Sequence, residues 1–279
     1  MRSPRVATHL LIAILTGLPR CWSATVAAAH QCITFGAGLT GFPEFSVNLR
    51  QHYFDTPVPQ PRGQRAADLT GLRVWHCSRP MLHHMQQSVL PELHETKKRP
   101  LRVLELGSGC GLLGIGMAAL GEHCVLTDPA SPVNFESEDA LETSGQRTTL
   151  EWLQDNVDLN HELSGSRAVA RKMVWGNVED EQAIRDEWCV GRDEFDLLLG
   201  SDLLYNPDQY TSLIRSMRTF CSPSTLALLV YQARHPGEQR FFDAASEIFD
   251  VTRSVIDGGG DTGKPEIRLA TCSPRPTSS

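Results

Sequence analysis

Three glycines, Gly107, Gly109 and Gly111, follow a short apolar stretch in the segment VLELGSGCGLLG at 103–114. Glycine has no Cβ, so this spacing permits a tight turn from a strand into a helix and lets a ligand approach the backbone closely. The free N–H groups at the start of the helix would point at that ligand. The pattern predicts a ligand site on a strand–turn–helix unit, and a glycine turn that binds nothing is the alternative.

Two acidic residues flank the glycine turn. Asp128 ends the next predicted strand, 21 residues after Gly107, where a carboxylate can accept hydrogen bonds from both ribose hydroxyls. Glu105 lies two residues before Gly107; its carboxylate would repel a diphosphate but tolerate the cationic amino-acid end of S-adenosylmethionine (SAM). We therefore favour SAM over a nicotinamide dinucleotide. A turn aspartate before Pro129 is the other interpretation of Asp128.

Apolar segments of strand length alternate with segments of helical periodicity from Gly71 onward. The predicted strands are 101–106, 123–127, 168–174, 195–199, 225–231, 251–255 and 266–272, and the predicted helices are 112–120, 149–161, 179–189, 207–220 and 238–249. This alternation is typical of an α/β fold with a mostly parallel, doubly wound sheet.

The chain divides into three parts. Residues 71–279 form the main domain, and residues 31–70 are a loop-like extension in which 45–54 is a strand or hairpin arm packed on the core. Residues 1–30 carry an apolar run and small residues like a cleavage site, so a secretory signal and a mitochondrial presequence stay open. We expect a cytoplasmic enzyme in which this part is a non-functional leader or follows a mis-assigned start codon. Residues 129–148 are expected to form an exposed insertion with an acidic cluster.

The net charge and the cysteine pattern argue against several classes of protein. The formal net charge of −7 argues against a protein that binds the phosphate backbone of nucleic acids. The eight cysteines contain no CxxC pair, so we expect reduced core thiols and no structural zinc. His83 and His84 are adjacent on a predicted helix and face different ways, so no metal is expected. No apolar run reaches the length of a membrane span.

The motifs together resemble a known family, the seven-β-strand protein lysine methyltransferases (methyltransferase family 16). The resemblance covers roughly 70–270 and rests on the glycine turn, on VLTD ending at Asp128, on NxxxN at 156–160, on WGN at 175–177 and on GSDLLY at 200–205. It implies a Rossmann-like, seven-stranded, mostly parallel sheet of the class I SAM-dependent methyltransferase type and a lysine-bearing protein substrate. We expect the enzyme to be monomeric.

The resemblance also implies roles for residues at matching positions. Asp202 and Tyr205 form the Asp-x-x-Tyr motif at the substrate mouth, where Asp202 would orient the target lysine and Tyr205 would form one wall of its channel. The residues implied in cofactor binding are Trp75, Glu105, Gly107, Ser108, Gly109, Gly111, Asp128, Trp175, Gly176 and Ser201. Among them the glycine turn would hold the methionine end, Asp128 the ribose, and Trp175 would stack near the adenine.

Other interpretations of these residues stay open. Asp202 could cap a helix, Tyr205 could pack on the surface, and the two tryptophans could be core aromatics. Asn156 and Asn160 could be polar surface residues. At the level of function, the alternatives are a SAM-dependent methyltransferase of another residue or a small molecule, a nicotinamide-dependent oxidoreductase, and an inactive methyltransferase-like scaffold.

Overall fold

The computed structural model of the chain describes residues 28–36, 44–52, 70–133, 147–189, 195–232, 237–257 and 266–275. The seven strands of its central sheet are β3 (Arg102–Leu106), β4 (His123–Asp128), β7 (Ala168–Lys172), β8 (Leu197–Ser201), β9 (Leu226–Gln232), β10 (Phe249–Asp257) and β11 (Ile267–Pro274). Their order across the sheet is β10-β11-β9-β8-β3-β4-β7. The five strands from β9 to β7 are parallel, and β11 runs antiparallel to both of its neighbours, β9 and the edge strand β10. The predicted mostly parallel, seven-stranded sheet is confirmed.

Helices cover both faces of this sheet. They are α1 (Ser78–His84), α2 (Leu90–Lys97), α3 (Leu112–Ala119), α4 (Thr149–Leu159), α5 (His161–Ser164), α6 (Val178–Trp188), α7 (Tyr210–Phe220) and α8 (Glu238–Ala245). A π-helical turn, Met85–Val89, joins α1 to α2. One buried cluster packs α1 and α3 on the first face, and a second packs α6, α7 and α8 on the other. The predicted helix 238–249 ends four residues early, because the chain enters β10 at Phe249.

The order of the strands fixes where a ligand can bind. From the central β3 the chain builds outward through β4 and β7, and it then returns to the other side of β3 with β8. In open α/β sheets, ligands bind beyond the carboxyl ends of the strands where the winding direction changes. The glycine turn after β3, Asp128 at the end of β4 and Asp202 after β8 all lie at this edge.

The N-terminal extension contains a β-hairpin. Strand β1 (Ala28–Phe35) pairs antiparallel with β2 (Phe45–His52), so the expectation of a loop-like segment is wrong over residues 31–35. Ile33, Phe35 and Val47 enter the same core cluster as α3. The period-2 alternation of apolar residues in QCITF places one face of β1 on this core, and the flanking glycines obscured it in the sequence.

Asn156 and Asn160 attach this hairpin to the main domain. Asn160 Oδ1 accepts the N–H of Asn48 at 2.8 Å, and Asn160 Nδ2 donates to the carbonyl of Asn48 at 2.6 Å. Asn156 forms the same pair of bonds with Arg50, at 2.8 and 3.1 Å. Both asparagines are buried. They continue the hydrogen-bond ladder of β2 into helix α4, so the interpretation as polar surface residues is wrong.

Replacing Asn156 by alanine should lower the free energy of unfolding by about 2 kcal/mol. The N–H of Arg50 would stay buried without its acceptor, and the carbonyl of Cys110 would lose the donor that Asn156 Nδ2 provides at 3.0 Å; a buried unsatisfied group costs roughly 1–3 kcal/mol. Urea unfolding followed by circular dichroism measures the change. The control, Gln154→Ala on the exposed face of α4, should change stability by less than about 0.5 kcal/mol.

The predicted insertion at 129–148 begins and ends in a short antiparallel pair, β5 (Pro132–Val133) with β6 (Arg147–Thr148). The acidic cluster predicted there, at Glu136, Glu138 and Asp139, lies outside the described residues. The possible leader at 1–30 also lies outside them up to residue 27. In the part of the chain that the structure describes, none of the helices has the length and apolar character needed to cross a membrane.

Candidate cofactor and substrate site

A cavity of about 250 Å³ lies at the carboxyl ends of β3, β4 and β8. Eleven of the twelve residues predicted from the sequence line it: Trp75, Glu105, Gly107, Ser108, Gly109, Gly111, Asp128, Trp175, Ser201, Asp202 and Tyr205. They come from positions as far apart as 75 and 205. The fold therefore collects the predicted cofactor-binding and substrate-binding residues around one space. The twelfth, Gly176, does not line the cavity.

The glycine turn follows β3 with three glycines in the left-handed region of backbone conformation. Gly107, Gly109 and Gly111 have φ of 60°, 53° and 84°, values that side chains with a Cβ rarely adopt. A Cβ on Gly107 would lie 2.9 Å from the side chain of Leu203. The turn is fixed from outside as well, since the N–H of Ser108 donates to the carbonyl of Thr127 at 2.8 Å. The turn forms a backbone-lined cradle at the edge of the cavity, and it requires glycine because an added Cβ at the three positions would meet neighbouring protein atoms at 2.9, 3.3 and 2.6 Å.

Glu105 is buried beneath this cradle, with 2% of its surface exposed. Its Oε2 accepts the N–H of Gly114 at 3.0 Å, inside the first turn of α3. Burial nevertheless raises the pKa of the Glu105 carboxyl to about 8. The carboxyl is then mostly protonated at pH 7 in the cofactor-free protein. A protonated Glu105 carries no charge with which to repel a diphosphate, so the expected repulsion does not apply to this state.

Asp128 ends β4 and faces the cavity while 4% exposed. One carboxylate oxygen accepts the N–H of Gly109 at 3.2 Å, and the other accepts a hydrogen bond from the hydroxyl of Thr149. Thr149 Oγ1 in turn accepts the N–H of Ser131 at 3.1 Å. These contacts hold the carboxylate next to the glycine turn, the position from which it can accept ribose hydroxyls. Thr149, which also lines the cavity, was missed by the sequence reasoning.

Replacing Thr149 by valine should weaken SAM binding about tenfold. Valine keeps the shape of the side chain but cannot donate to Asp128, so the carboxylate loses one of the bonds that fix its direction; a hydrogen bond to a charged group contributes roughly 1.5–3 kcal/mol. Isothermal titration with SAM measures the dissociation constant. Thr149→Ser retains the hydroxyl and should bind within about twofold of the unchanged protein, whereas equal losses for both variants would contradict this role.

Asp202 follows β8 in an uncommon backbone conformation. Its φ is 59° and it is 7% exposed. Oδ2 accepts the N–H of Cys77 at 2.9 Å, at the start of helix α1, and next to this bond the hydroxyls of Ser78 and Ser201 lie 3.0 Å apart. The carboxylate thus caps a helix that lies 125 residues earlier in the chain, so the alternative of a helix cap describes one of its contacts. It also lines the cavity.

Aromatic residues form the walls of the cavity. Trp75 donates from Nε1 to the carbonyl of Thr70 at 2.9 Å, and the guanidinium of Arg73 lies 5.4 Å from the centre of its ring. Tyr205 is 50% exposed at the open end. Trp175 packs over the glycine turn, since a Cβ on Gly107 would lie 3.0 Å from its ring. The alternative that the two tryptophans are plain core aromatics does not fit, because both line the cavity.

Several residues at the cavity carried no recognisable signal in the sequence. Besides Thr149 they include Gly71, Arg73, Ser78, Met173, Asn206 and Gln209. Thr148 and Glu151 form a capping box at the start of α4, in agreement with the predicted helix 149–161, but this pattern does not report that Thr149 faces the cavity. The other residues are positioned by contacts between distant segments, which no local pattern reports.

The cysteines and histidines take no comparable part in the site. The seven cysteines in the described residues are free thiols; burial raises the pKa of the cavity-lining Cys110 far above its usual range. The ring of His83 lies 5.3 Å from that of Phe35. Across the described ranges no group of three or more His, Cys, Asp or Glu side chains is arranged to hold a metal ion.

Comparison with known proteins gives consistent matches. Residues 63–248 match the family described as lysine methyltransferase. The chain is 28% identical over 172 residues to protein N-lysine methyltransferase METTL21A of Mus musculus, covering 61% of this chain and 67% of that protein. It is 29% identical to EEF1A lysine methyltransferase 3 of Xenopus tropicalis, covering 50% and 51%. It is also 26% identical to the histidine protein methyltransferase 1 homolog of Mus musculus, covering 68% and 54%.

Proposed function

Because the chain belongs to the lysine methyltransferase family, as the match over residues 63–248 shows, we propose that it transfers a methyl group from SAM to a lysine side chain of a protein. One observation carries the proposal. Asp202 and Tyr205, the residues expected to meet the substrate, line the same cavity as the glycine turn and Asp128, the residues expected to hold the cofactor. Family membership also removes the nicotinamide-dependent oxidoreductase as an alternative.

The residues at the cavity fit SAM. When bound, the cofactor supplies a methyl group on a positively charged sulfonium. Gly107, Ser108 and Gly109 line the cavity as a backbone cradle, and both glycines have positive φ, which suits close approach of the amino-acid end. Glu105 lies beneath the cradle, where a cationic ammonium group would favour its ionised form. Asp128 is held at the end of β4 to accept ribose hydroxyls.

The substrate side of the cavity orients the acceptor rather than performing acid–base chemistry. A lysine amine must reach the methyl group in its neutral form, although its pKa in water is about 10.4, and desolvation next to a cationic sulfonium favours loss of the proton. Asp202, fixed by the N–H of Cys77, can accept a hydrogen bond from the amine and set its direction. Tyr205, half-exposed at the open end, can form a wall of the lysine channel. Positioning of this kind supplies much of the rate in a two-substrate transfer.

The test of this function is transfer of label from SAM. The full chain is incubated with radiolabelled SAM and a cell lysate, and labelled proteins are hydrolysed to amino acids. Label in methyl-lysine supports the proposal. Measurable SAM binding without any labelled protein would overturn a protein substrate in favour of a small molecule, and no SAM binding would leave the inactive scaffold as the better account.

Histidine is a second candidate for the methyl acceptor. The similarity to a histidine protein methyltransferase extends over 68% of this chain, more than the 61% matched by METTL21A. The hydrolysis step separates the two, because methyl-histidine and methyl-lysine are distinct products. Label in methyl-histidine alone would keep the fold and the cofactor and overturn the lysine acceptor.

We also propose that the enzyme acts as a cytoplasmic monomer on a protein substrate, and not on nucleic acid or at a membrane. The free thiols of the described cysteines fit a reducing compartment. The net charge of −7 disfavours binding to a phosphate backbone. Sedimentation of the purified chain tests whether it is a monomer, and fluorescence imaging of the tagged full chain tests whether it is cytoplasmic.

A further inference from the structure

A buried carboxylate outside the cavity, Glu181, joins two helices on the second face of the sheet. It lies in α6 and is 4% exposed. Ser216 Oγ donates to its Oε1 at 2.7 Å and Thr219 Oγ1 to its Oε2 at 2.9 Å, both from α7. The N–H of Gly176 donates to Oε1 at 3.1 Å. Burying a carboxylate is costly unless hydrogen bonds satisfy it, and these donors, here called the Glu181 cluster, do so.

The Glu181 cluster holds the backbone at Gly176 in place. The N–H of Gly176 is shared, because Ser216 Oγ also accepts it, at 2.8 Å. Gly176 has a φ of 76°, and a Cβ there would lie 3.3 Å from the side chain of Ser212 on α7. The turn is therefore tied to α6 and to α7 at one peptide group. This accounts for Gly176, which belongs to the predicted site and yet does not line the cavity.

Trp175 directly precedes this fixed peptide and forms a wall of the cavity. Its ring lies over Gly107, where an added Cβ would be 3.0 Å away, and Leu203 meets the same position at 2.9 Å. A small rotation of the peptide at Gly176 would shift the large indole ring across the space above the glycine turn. The orientation of the Trp175 ring thus depends on the hydrogen bonds that the next residue, Gly176, forms with Glu181 and Ser216.

We infer that Glu181 is a positioning residue for cofactor binding: by holding Gly176 it sets Trp175 against the glycine turn. The inference rests on the proposed function, since it assumes that the cavity binds SAM. Glu181 touches neither the cavity nor its contents. Its effect on SAM affinity must therefore pass through Trp175, so the effect should disappear when the Trp175 ring is removed.

The test compares two contacts between α6 and α7. Arg185 Nη1 donates to the carbonyl of Thr219 at 2.8 Å, a contact that makes no bond with Gly176, so Arg185→Met serves as the matched control. Isothermal titration with SAM should give a dissociation constant about tenfold higher for Glu181→Ala, a loss of the size expected for one buried charged hydrogen bond. Glu181→Gln keeps a carbonyl oxygen for Gly176 and should bind within about threefold. Arg185→Met should lose thermal stability without losing affinity.

A double-mutant cycle separates positioning from general destabilisation. In a Trp175→Ala background, Glu181→Ala should add less than about a twofold further loss, because the ring that it positions is absent. If Glu181→Ala fails to fold, Ser216→Ala replaces it, with an expected loss of about threefold that also disappears without Trp175. Losses that follow thermal stability in all variants, or that persist in the Trp175→Ala background, overturn the inference. Absence of SAM binding by the unchanged chain would instead refute the proposed function.

Discussion

Replacing Asp202 by asparagine should reduce methyl transfer about 100-fold or more while the protein still folds and binds SAM. The carboxylate lies in the cavity with one oxygen fixed by the N–H of Cys77. Asparagine has nearly the same shape and tolerates the φ of 59° found here better than most residues. It lacks the negative charge, however, and its amide nitrogen cannot accept a hydrogen bond from the target amine. The loss should therefore appear in the transfer step.

The experiment measures SAM affinity by titration. It measures methyl transfer from labelled SAM to the lysate protein that was identified as the methyl acceptor. Asp202→Ala is less informative, because alanine in the left-handed region costs roughly 1–2 kcal/mol and could unfold part of the site. The matched control is Asp208→Asn, an exposed aspartate six residues later that does not line the cavity; it should keep full activity. An Asp202→Asn variant with unchanged transfer would show that this residue is structural.

The fold of the main domain could be predicted because its determinants are local. Strands β3, β4 and β8 are short apolar runs ended by glycine or aspartate, and all seven predicted strands are present within a few residues. The β1–β2 hairpin was harder to predict from the sequence. Strand β1 is specified by its packing on the core, through Ile33 and Phe35, and by a register with β2 that spans ten or more residues. Short-range periodicity records such pairing poorly.

The candidate site divides in the same way. The glycine turn and Asp128 are readable, because a ligand that needs a close backbone approach imposes glycine at fixed spacing. The contacts of Asn156, Thr149 and Glu181 could not be predicted, because an asparagine, threonine or glutamate in a helix looks alike whether it is solvated or buried against a partner 21 to 106 residues away. The ionisation of Glu105 was misjudged for the same reason. Its neighbours in sequence suggest a carboxylate, and only burial shows that the neutral acid is favoured.

Replacing Glu105 by glutamine should make the free energy of unfolding less dependent on pH, with the largest gain in stability at high pH. Burial raises the pKa of Glu105 from 4.5 to about 8 in the folded protein. Between these values the folded state holds a proton that the unfolded state has released, so stability is complete below about pH 4.5 and falls as the pH rises through 8. Over that window the loss is about 4 kcal/mol, to order of magnitude. Glutamine carries no proton to lose and can still accept the N–H of Gly114.

Urea unfolding of the cofactor-free protein at pH 5 and pH 8 measures this difference. Glu122 is also buried with a raised pKa, so the unchanged chain and Glu105→Gln should both lose stability over this range. The gap, meaning the difference in the free energy of unfolding between the variant and the unchanged chain, isolates the contribution of Glu105. The control is Glu187→Gln. Arg171 lowers the pKa of that surface carboxyl, so its substitution should cost a little stability at both values and open no gap between them. A Glu105→Gln gap that is the same at pH 5 and pH 8 would show that Glu105 is already ionised in the folded protein. The carboxylate beneath the glycine turn would then meet the cofactor as an anion, and binding of the cationic amino-acid end would release no proton.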